Sequence, residues 1–255
     1  MGESEGERNV SRHRAARRYC SQMRKIIIVA LCGIACAPIP PQPRSAQGVQ
    51  SVSSAPPVNT EETAVAADAV ADTLLADVRS FDSTIAVDLR YATSNNFTGA
   101  PLPGYEANLA YLRREAAAAL GRVQKNLNPQ GLGLKIFDGY RPVRATLAMV
   151  DWTARVHRPD LLTDGYIASR SRHNLGLAVD LTLIELPSGR ELEMGTAFDT
   201  FSAAAHTANA SGVAAANRQI LKAAMEREGF VNYDQEWWHF SFNVANPLRF
   251  DRPIQ

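Results

Sequence analysis

The chain has little cysteine: only three of its 255 residues are cysteines, and all three, Cys20, Cys32 and Cys36, lie near the N-terminus. The sequence after Cys36 therefore has no residue for a disulfide, a thiol nucleophile or a thiolate metal ligand. An excess of one charge is also missing, because 27 lysines and arginines against 26 aspartates and glutamates leave a net charge of +1. We therefore expect no nucleic-acid partner.

Long apolar runs are scarce as well, and the clearest one follows Met23. The stretch MRKIIIVALCGIACAPIPPQ has two cations, an apolar run and then prolines, which is the layout of a secretory signal. The apolar run is short for a transmembrane helix, although a retained anchor is the alternative. We predict an N-terminal extension and export signal over residues 1–37, with Met23 as the true start. Gly33 to Cys36 matches a lipoprotein cleavage box in part, which leaves a lipid on Cys36 open.

Residues 38–72 are rich in Pro, Ser, Ala, Gln and Val, the composition of a flexible linker that cannot build a core. The sequence thus predicts one catalytic-sized domain over residues 73–255. We expect an exported protein, periplasmic or lipid-anchored at the cell envelope. Membrane contact is expected only through the signal or the lipid on Cys36.

The predicted domain mixes helices with strands. Three stretches have apolar residues at helical spacing: 108–127, 142–157 and 214–228. Three stretches alternate apolar and polar residues like strands: 132–136, 177–183 and 237–243. Because helices and strands do not alternate regularly, the pattern predicts an α+β fold with a mainly antiparallel sheet.

Two of the five histidines lie in turn and strand contexts beside carboxylates, whereas the others lie in the leader, at a helix end or in a loop. A catalytic zinc site takes three nitrogen or oxygen ligands and leaves one position for water. His173, Asp180 and His239 supply such a set if their two strands are neighbours. A non-haem iron site uses the same ligand types, so the metal stays open. The alternative is that Asp180 caps a turn and His173 is an ordinary polar residue.

Two further charged residues suit hydrolysis. Glu236 could accept a proton from water and deliver it to a leaving amine. In a regular strand it would point away from His239, so it must lie in a turn or bulge before the strand. Arg141, in FDGYRP, has a donor fork that suits a carboxylate or an oxyanion. The ordinary alternatives are a surface acid and a structural ion pair.

Five stretches together resemble the zinc D-alanyl-D-alanine dipeptidases of the VanX type, within the zinc D-Ala-D-Ala peptidase group. They are DLRYATSNNFTG, FDGYRP, SRHNLGLAVDLTL, MGTAFD and EWWHF. The pattern Ser-x-His-x-x-Gly-x-Ala-x-Asp is shared with the wider group and its non-hydrolytic relatives. NFTG, MGTxFD and EWWH are typical of the dipeptidases themselves.

The resemblance implies a compact Hedgehog/DD-peptidase-like α+β fold whose antiparallel sheet carries one zinc ion per chain. The implied zinc ligands are His173, Asp180 and His239. Glu236 is implied as the catalytic base and acid, and Arg141 as the residue that stabilises the transition state. Three residues are implied near the small dipeptide pocket: Ser171, Tyr91 and Asp199.

The function implied is zinc-dependent hydrolysis of D-Ala-D-Ala to two D-alanines in peptidoglycan turnover. One alternative is a zinc D,D-carboxypeptidase that trims D-Ala from longer wall peptides. Another is a non-hydrolytic peptidoglycan-binding module, which Glu236 argues against because a binder needs no base beside the metal. The best-known dipeptidases of this type act in the cytosol, whereas this chain carries an apparent export signal. Glycopeptide resistance is therefore not implied.

Overall fold

The computed structural model describes residues 64–255. The predicted export signal, the lipid on Cys36, the start at Met23 and most of the linker lie outside the described residues. Within residues 64–255, no helix is long and apolar enough to cross a membrane.

The described residues form helices and strands in a mixed order. The helices are α1 (Asp68–Leu74), α2 (Arg114–Leu127), α3 (Val143–Arg155), α4 (Asp160–Thr163) and α5 (Gly212–Arg227). The strands are β1 (Val65–Ala66), β2 (Leu75–Asp77), β3 (Ala86–Val87), β4 (Tyr111–Arg113), β5 (Leu132–Asp138), β6 (Ala178–Glu185), β7 (Val231–Tyr233), β8 (Glu236–Ser241) and β9 (Arg249–Phe250).

A five-stranded sheet in the order β3-β5-β6-β8-β7 forms the centre of the fold. Only β3 and β5 are parallel, and the other neighbours in this sheet are antiparallel. Helices α2 and α5 pack against each other and against this sheet. Val179, Leu181 and Leu183 of β6 are fully buried in the hydrophobic core. The predicted α+β fold with a mainly antiparallel sheet is confirmed.

The folded part begins before the predicted boundary at residue 73. β1 pairs in parallel with β9 near the C-terminus, and α1 buries Ala71 completely. Residues 65–72 therefore belong to the fold and not to the linker. Small residues such as alanine give this stretch the composition of a linker, and backbone pairing with a distant strand leaves no mark on composition.

The long helix begins later than its apolar spacing predicts. Residues 111–113 form β4, which pairs antiparallel with β2, and α2 starts at Arg114. Leu112 fits the apolar spacing of a helix and is also fully buried in this strand. The backbone pairing with β2 decides between the two conformations.

Candidate metal centre

Three ionisable side chains from neighbouring strands stand in one row across the sheet. Asp138 in β5 pairs with Asp180 in β6, and Asp180 pairs with His239 in β8. A shift in the pairing between Ile136 and Asp138 brings Asp138 into this row. Because directly opposite residues on antiparallel strands lie on the same face, the row presents all three side chains to one side of the sheet.

His173 joins the row from a 3₁₀ turn, Arg172–Leu175, just before β6. The Ser171 hydroxyl caps this turn by accepting a hydrogen bond of 3.2 Å from the His173 backbone N–H. Gly176 ends the turn with φ of 65°, and a Cβ at this position would lie 2.6 Å from Leu75 Cδ2. Glycine is therefore required where the chain turns from His173 into the strand that carries Asp180.

The predicted ligand residues form a compact cluster of two imidazoles and one carboxylate. His173 Nε2 lies 3.2 Å from His239 Nδ1, and His239 Nδ1 lies 2.9 Å from Asp180 Oδ1. One ligating atom from each of the three residues lies within 4.8 Å of the others. This set of two nitrogens and one oxygen fits a single zinc-type cation, and catalytic zinc sites with three protein ligands use the fourth position for water.

The second nitrogen of His173 fixes the orientation of the ring. His173 Nδ1 lies 2.7 Å from the carbonyl oxygen of Gly139 and donates its proton there. His173 Nε2 is then left without a proton, as a metal ligand must be. Gly139 also comes close to the backbone of Tyr111, whose carbonyl oxygen would lie 2.7 Å from an added Cβ. The sequence predicts a partner for this nitrogen without identifying it.

The pKa values of His239 and Asp180 are shifted in the directions that favour metal binding. Burial lowers the pKa of His239, which keeps its imidazole neutral. Burial opposes the charge on Asp180, but His173 and His239 beside it lower its pKa overall. A neutral imidazole and a charged carboxylate are the forms that bind a metal ion.

Glu236 lies beside the cluster without belonging to it. It is the first residue of β8, directly after the turn at residues 234–235, and the β7–β8 pairing is irregular here. Its Oε2 lies 3.8 Å from His239 Nδ1. Burial, followed by the charges of Asp180 and Asp199, raises the pKa of Glu236 well above its usual value. A bound cation would act in the opposite direction.

Arg141 lies at the edge of the cluster in an ion pair with Asp138. Its Nε lies 2.9 Å and its Nη2 2.8 Å from Asp138 Oδ2, whereas Nη2 is 3.9 Å from Asp180 Oδ2. Asp138 is not among the site residues predicted from the sequence, although it is part of the FDGYRP stretch. The available signal is its position at the end of a buried strand, three residues before Arg141.

A cavity of about 230 Å³ opens onto the cluster, which is smaller than the roughly 300–1,000 Å³ usual for sites of drug-sized ligands. Its lining includes all eight predicted site residues: Tyr91, Arg141, Ser171, His173, Asp180, Asp199, Glu236 and His239. The Tyr91 hydroxyl donates to Asp199, 3.1 Å from each carboxylate oxygen. The structure thus brings together residues that lie up to 148 positions apart, the separation of Tyr91 from His239.

The chain is similar to known D-Ala-D-Ala dipeptidases over nearly all of the residues that the structure describes. The family model for M15 peptidases, described as D-Ala-D-Ala dipeptidase, matches residues 71–254. A D-alanyl-D-alanine dipeptidase of Enterococcus faecium is 38% identical over 169 residues, which cover 60% of this chain and 83% of the relative. A D-alanyl-D-alanine dipeptidase of Streptomyces coelicolor is 37% identical over 189 residues, which cover 68% and 94%.

Among solved structures, the vancomycin resistance D,D-dipeptidase VanXYg, in complex with a D-Ala-D-Ala phosphinate analogue, overlaps with 66% of this chain and 66% of its own. The TM-score is 0.37 and the sequence identity is 17%, values too low to support an inference.

Proposed function

The chain belongs to the M15 family of D-Ala-D-Ala dipeptidases, and we propose that it hydrolyses the free dipeptide D-Ala-D-Ala to two D-alanines with one bound zinc ion. The observation that carries this proposal is the cluster of His173, Asp180 and His239 in a small cavity that also contains Glu236. A carboxylate beside the cluster suits a hydrolase, because a module that only binds wall peptides has no need of a proton acceptor there.

The reaction adds one water molecule across one peptide bond. His173, Asp180 and His239 would hold the zinc ion, which would supply Lewis-acid chemistry at the scissile carbonyl and lower the pKa of a nearby water. Glu236 takes the proton from the attacking water and delivers it to the leaving amino group. One carboxylate performs both transfers, so the enzyme returns to its starting protonation state after each turnover.

Arg141 supplies a fixed positive charge in the cavity. Its side chain is largely buried and is held along one edge by Asp138. A guanidinium held in this way stabilises the negative charge that develops on the carbonyl oxygen in the transition state. The predicted structural ion pair and the predicted catalytic role are thus compatible, because the same side chain can do both.

Recognition of a dipeptide follows from what the cavity offers to the amino terminus and the methyl side chains of the substrate. Asp199 accepts a hydrogen bond from the Tyr91 hydroxyl and presents its carboxyl group to the cavity. Burial raises the pKa of Asp199, and the charged amino terminus of a free dipeptide beside it would favour the ionised form. Phe97, Met149 and Trp238 provide apolar walls for the methyl side chains. In a longer wall peptide the same nitrogen is a neutral amide, which gains less from a carboxylate than an ammonium group does. The dipeptidase is therefore favoured over the carboxypeptidase.

We further propose that the enzyme acts outside the cytosol, in the periplasm or attached to the cell envelope. The support is the pattern of two cations, an apolar run and prolines after Met23, with Cys36 as a candidate lipid attachment site. An exported dipeptidase would meet D-Ala-D-Ala released from wall material.

The test is to incubate the purified protein with D-Ala-D-Ala, L-Ala-L-Ala and a pentapeptide ending in D-Ala-D-Ala, and to measure free alanine with and without a chelator. We expect chelator-sensitive cleavage of the free D,D-dipeptide alone. Cleavage of the pentapeptide instead would indicate a carboxypeptidase. Zinc binding with no cleavage of any substrate would indicate a binding module.

A further inference from the structure

Asp138 is a fully buried carboxylate, and both of its oxygens accept hydrogen bonds. Its Oδ1 accepts hydrogen bonds from the Tyr105 hydroxyl at 2.6 Å and from the Gly139 N–H at 3.0 Å. Its Oδ2 accepts from Arg141 Nε at 2.9 Å and lies 2.8 Å from Arg141 Nη2. None of its surface is exposed. A carboxylate fixed by four donors can in turn fix the guanidinium that it binds.

The guanidinium of Arg141 has a second carboxylate within reach. Its Nη2 lies 3.9 Å from Asp180 Oδ2, and Asp180 is one of the proposed zinc ligands. A metal ion and a guanidinium would compete for the same carboxylate if the arginine moved closer. The ring of Tyr91, whose centroid is 5.1 Å from Arg141 Cζ, contacts the guanidinium but offers no competing negative charge.

We propose that Asp138 is a positioning residue that holds Arg141 in the cavity and away from Asp180. This inference rests on the proposed function, because it assigns Arg141 to the transition state and Asp180 to the metal. Asp138 binds Nε and Nη2 of the guanidinium. This contact restrains Nη2, the nitrogen that lies 3.9 Å from Asp180 Oδ2. Loss of this carboxylate frees the guanidinium to pair with Asp180, which weakens metal binding and removes the charge from the carbonyl oxygen.

A second path from Asp138 to the metal centre has to be separated from this one. Asp138 Oδ2 also lies 3.4 Å from His173 Nδ1, although that nitrogen is closer to the Gly139 carbonyl oxygen. Through this contact Asp138 could act on the metal by way of His173 and independently of Arg141. The two paths differ in whether the effect of Asp138 requires the arginine.

The test is a mutant cycle on zinc affinity, measured without substrate by competition with a chromophoric chelator. The proteins are wild type, Asp138→Asn, Arg141→Met and the double variant. We expect Asp138→Asn to weaken zinc binding at least tenfold in the presence of Arg141 and to have no effect in the Arg141→Met background. Equal weakening in both backgrounds would overturn the proposal and favour the path through His173. Unchanged affinity in Asp138→Asn would overturn it as well.

Turnover gives an independent comparison at saturating zinc. Asp138→Asn should lower kcat, whereas the double variant should be no slower than Arg141→Met alone. Multiplicative losses in kcat would contradict action through the arginine. Because zinc affinity is measured without substrate, failure of the proposed hydrolysis and failure of this positioning role give different results.

Two further variants complete the experiment. Tyr105→Phe removes one hydrogen bond to Asp138 and keeps its charge, so it should weaken zinc binding in the same direction but less, and only with Arg141 present. If Asp138→Asn does not fold, Tyr105→Phe takes its place in the zinc-affinity test. Asp88→Asn is the matched control, since Asp88 pairs with Arg90 at 3.0 Å outside the cavity and should change neither affinity nor kcat.

Discussion

Asp180 and His239 lie directly opposite each other on β6 and β8, with Asp180 Oδ1 2.9 Å from His239 Nδ1. The pairing register of the two strands fixes this relationship. A slip of one residue would place the two side chains on opposite faces of the sheet. The cluster of His173, Asp180 and His239 therefore depends on how the strands pair as much as on which residues they contain.

His239→Ala should lose the metal, because only two of the three protein ligands that a catalytic zinc site uses would remain. The measurement is zinc content after dialysis against metal-free buffer. His157→Asn is a suitable control: His157 is exposed and has φ of 57°, a conformation that asparagine tolerates. Normal zinc content in His239→Ala would show that the proposed ligand set is wrong.

Glu236→Gln should keep zinc and lose about two to four decades of kcat, the usual contribution of a general acid–base group. The amide has nearly the shape of the carboxylate but cannot accept the proton. Zinc content and kcat should be measured on the same preparation. Glu226→Gln, at an exposed position on α5, is the control. Loss of zinc would instead make Glu236 a ligand.

Arg141→Lys should reduce turnover far more than thermal stability. Lysine keeps the positive charge, but its single ammonium cannot reproduce the two contacts that Nε and Nη2 make with Asp138. The comparison is kcat against the midpoint of thermal unfolding. Wild-type turnover in this variant would leave Arg141 with a structural role only.

The sequence predicts the residues of the candidate site better than it predicts the residues that hold them in position. The chemistry proposed for His173, Asp180, Glu236 and His239 requires their residue types, so their spacing in short motifs is informative. Asp138 acts through burial and hydrogen bonds to residues up to 33 positions away, and neither property is visible in its own stretch.

The fold shows the same difference between local and distant information. Alternation predicts β5, β6 and β8, because each has a face of large apolar residues. β1 and β4 are short and depend on pairing with β9 and β2, which are distant in the sequence. Such pairing overrides the helical spacing around Leu112 and the linker composition before residue 73.

Removal of the metal should abolish hydrolysis and lower the stability of the fold. A ligand at 100 times its Kd adds about 2.7 kcal/mol to the free energy of unfolding, which a chelator removes. Thermal unfolding should be followed with chelator, after dialysis, and again after zinc is restored. Activity that persists in chelator while the unfolding midpoint falls would separate the structural role of the metal from catalysis.

Gly176→Ala should destabilise the protein more than Gly99→Ala does. Both glycines have positive φ, 65° and 76°, so both variants carry the cost of a left-handed alanine, about 1–2 kcal/mol. Only at position 176 does the new Cβ meet close neighbours: Leu75 Cδ2 at 2.6 Å and the Arg113 backbone nitrogen at 3.0 Å. Overpacking of this kind typically costs a further ~1–3 kcal/mol.

The measurement for this pair is the midpoint of urea unfolding for both variants, together with their zinc affinity. Gly176 ends the turn that carries His173, so a shift of this turn should also weaken zinc binding in Gly176→Ala, whereas Gly99→Ala should bind zinc normally. Equal stability losses with equal zinc affinity would mean that the turn can move away from Leu75 without displacing His173. The close approach at Gly176 would then have no part in forming the metal centre.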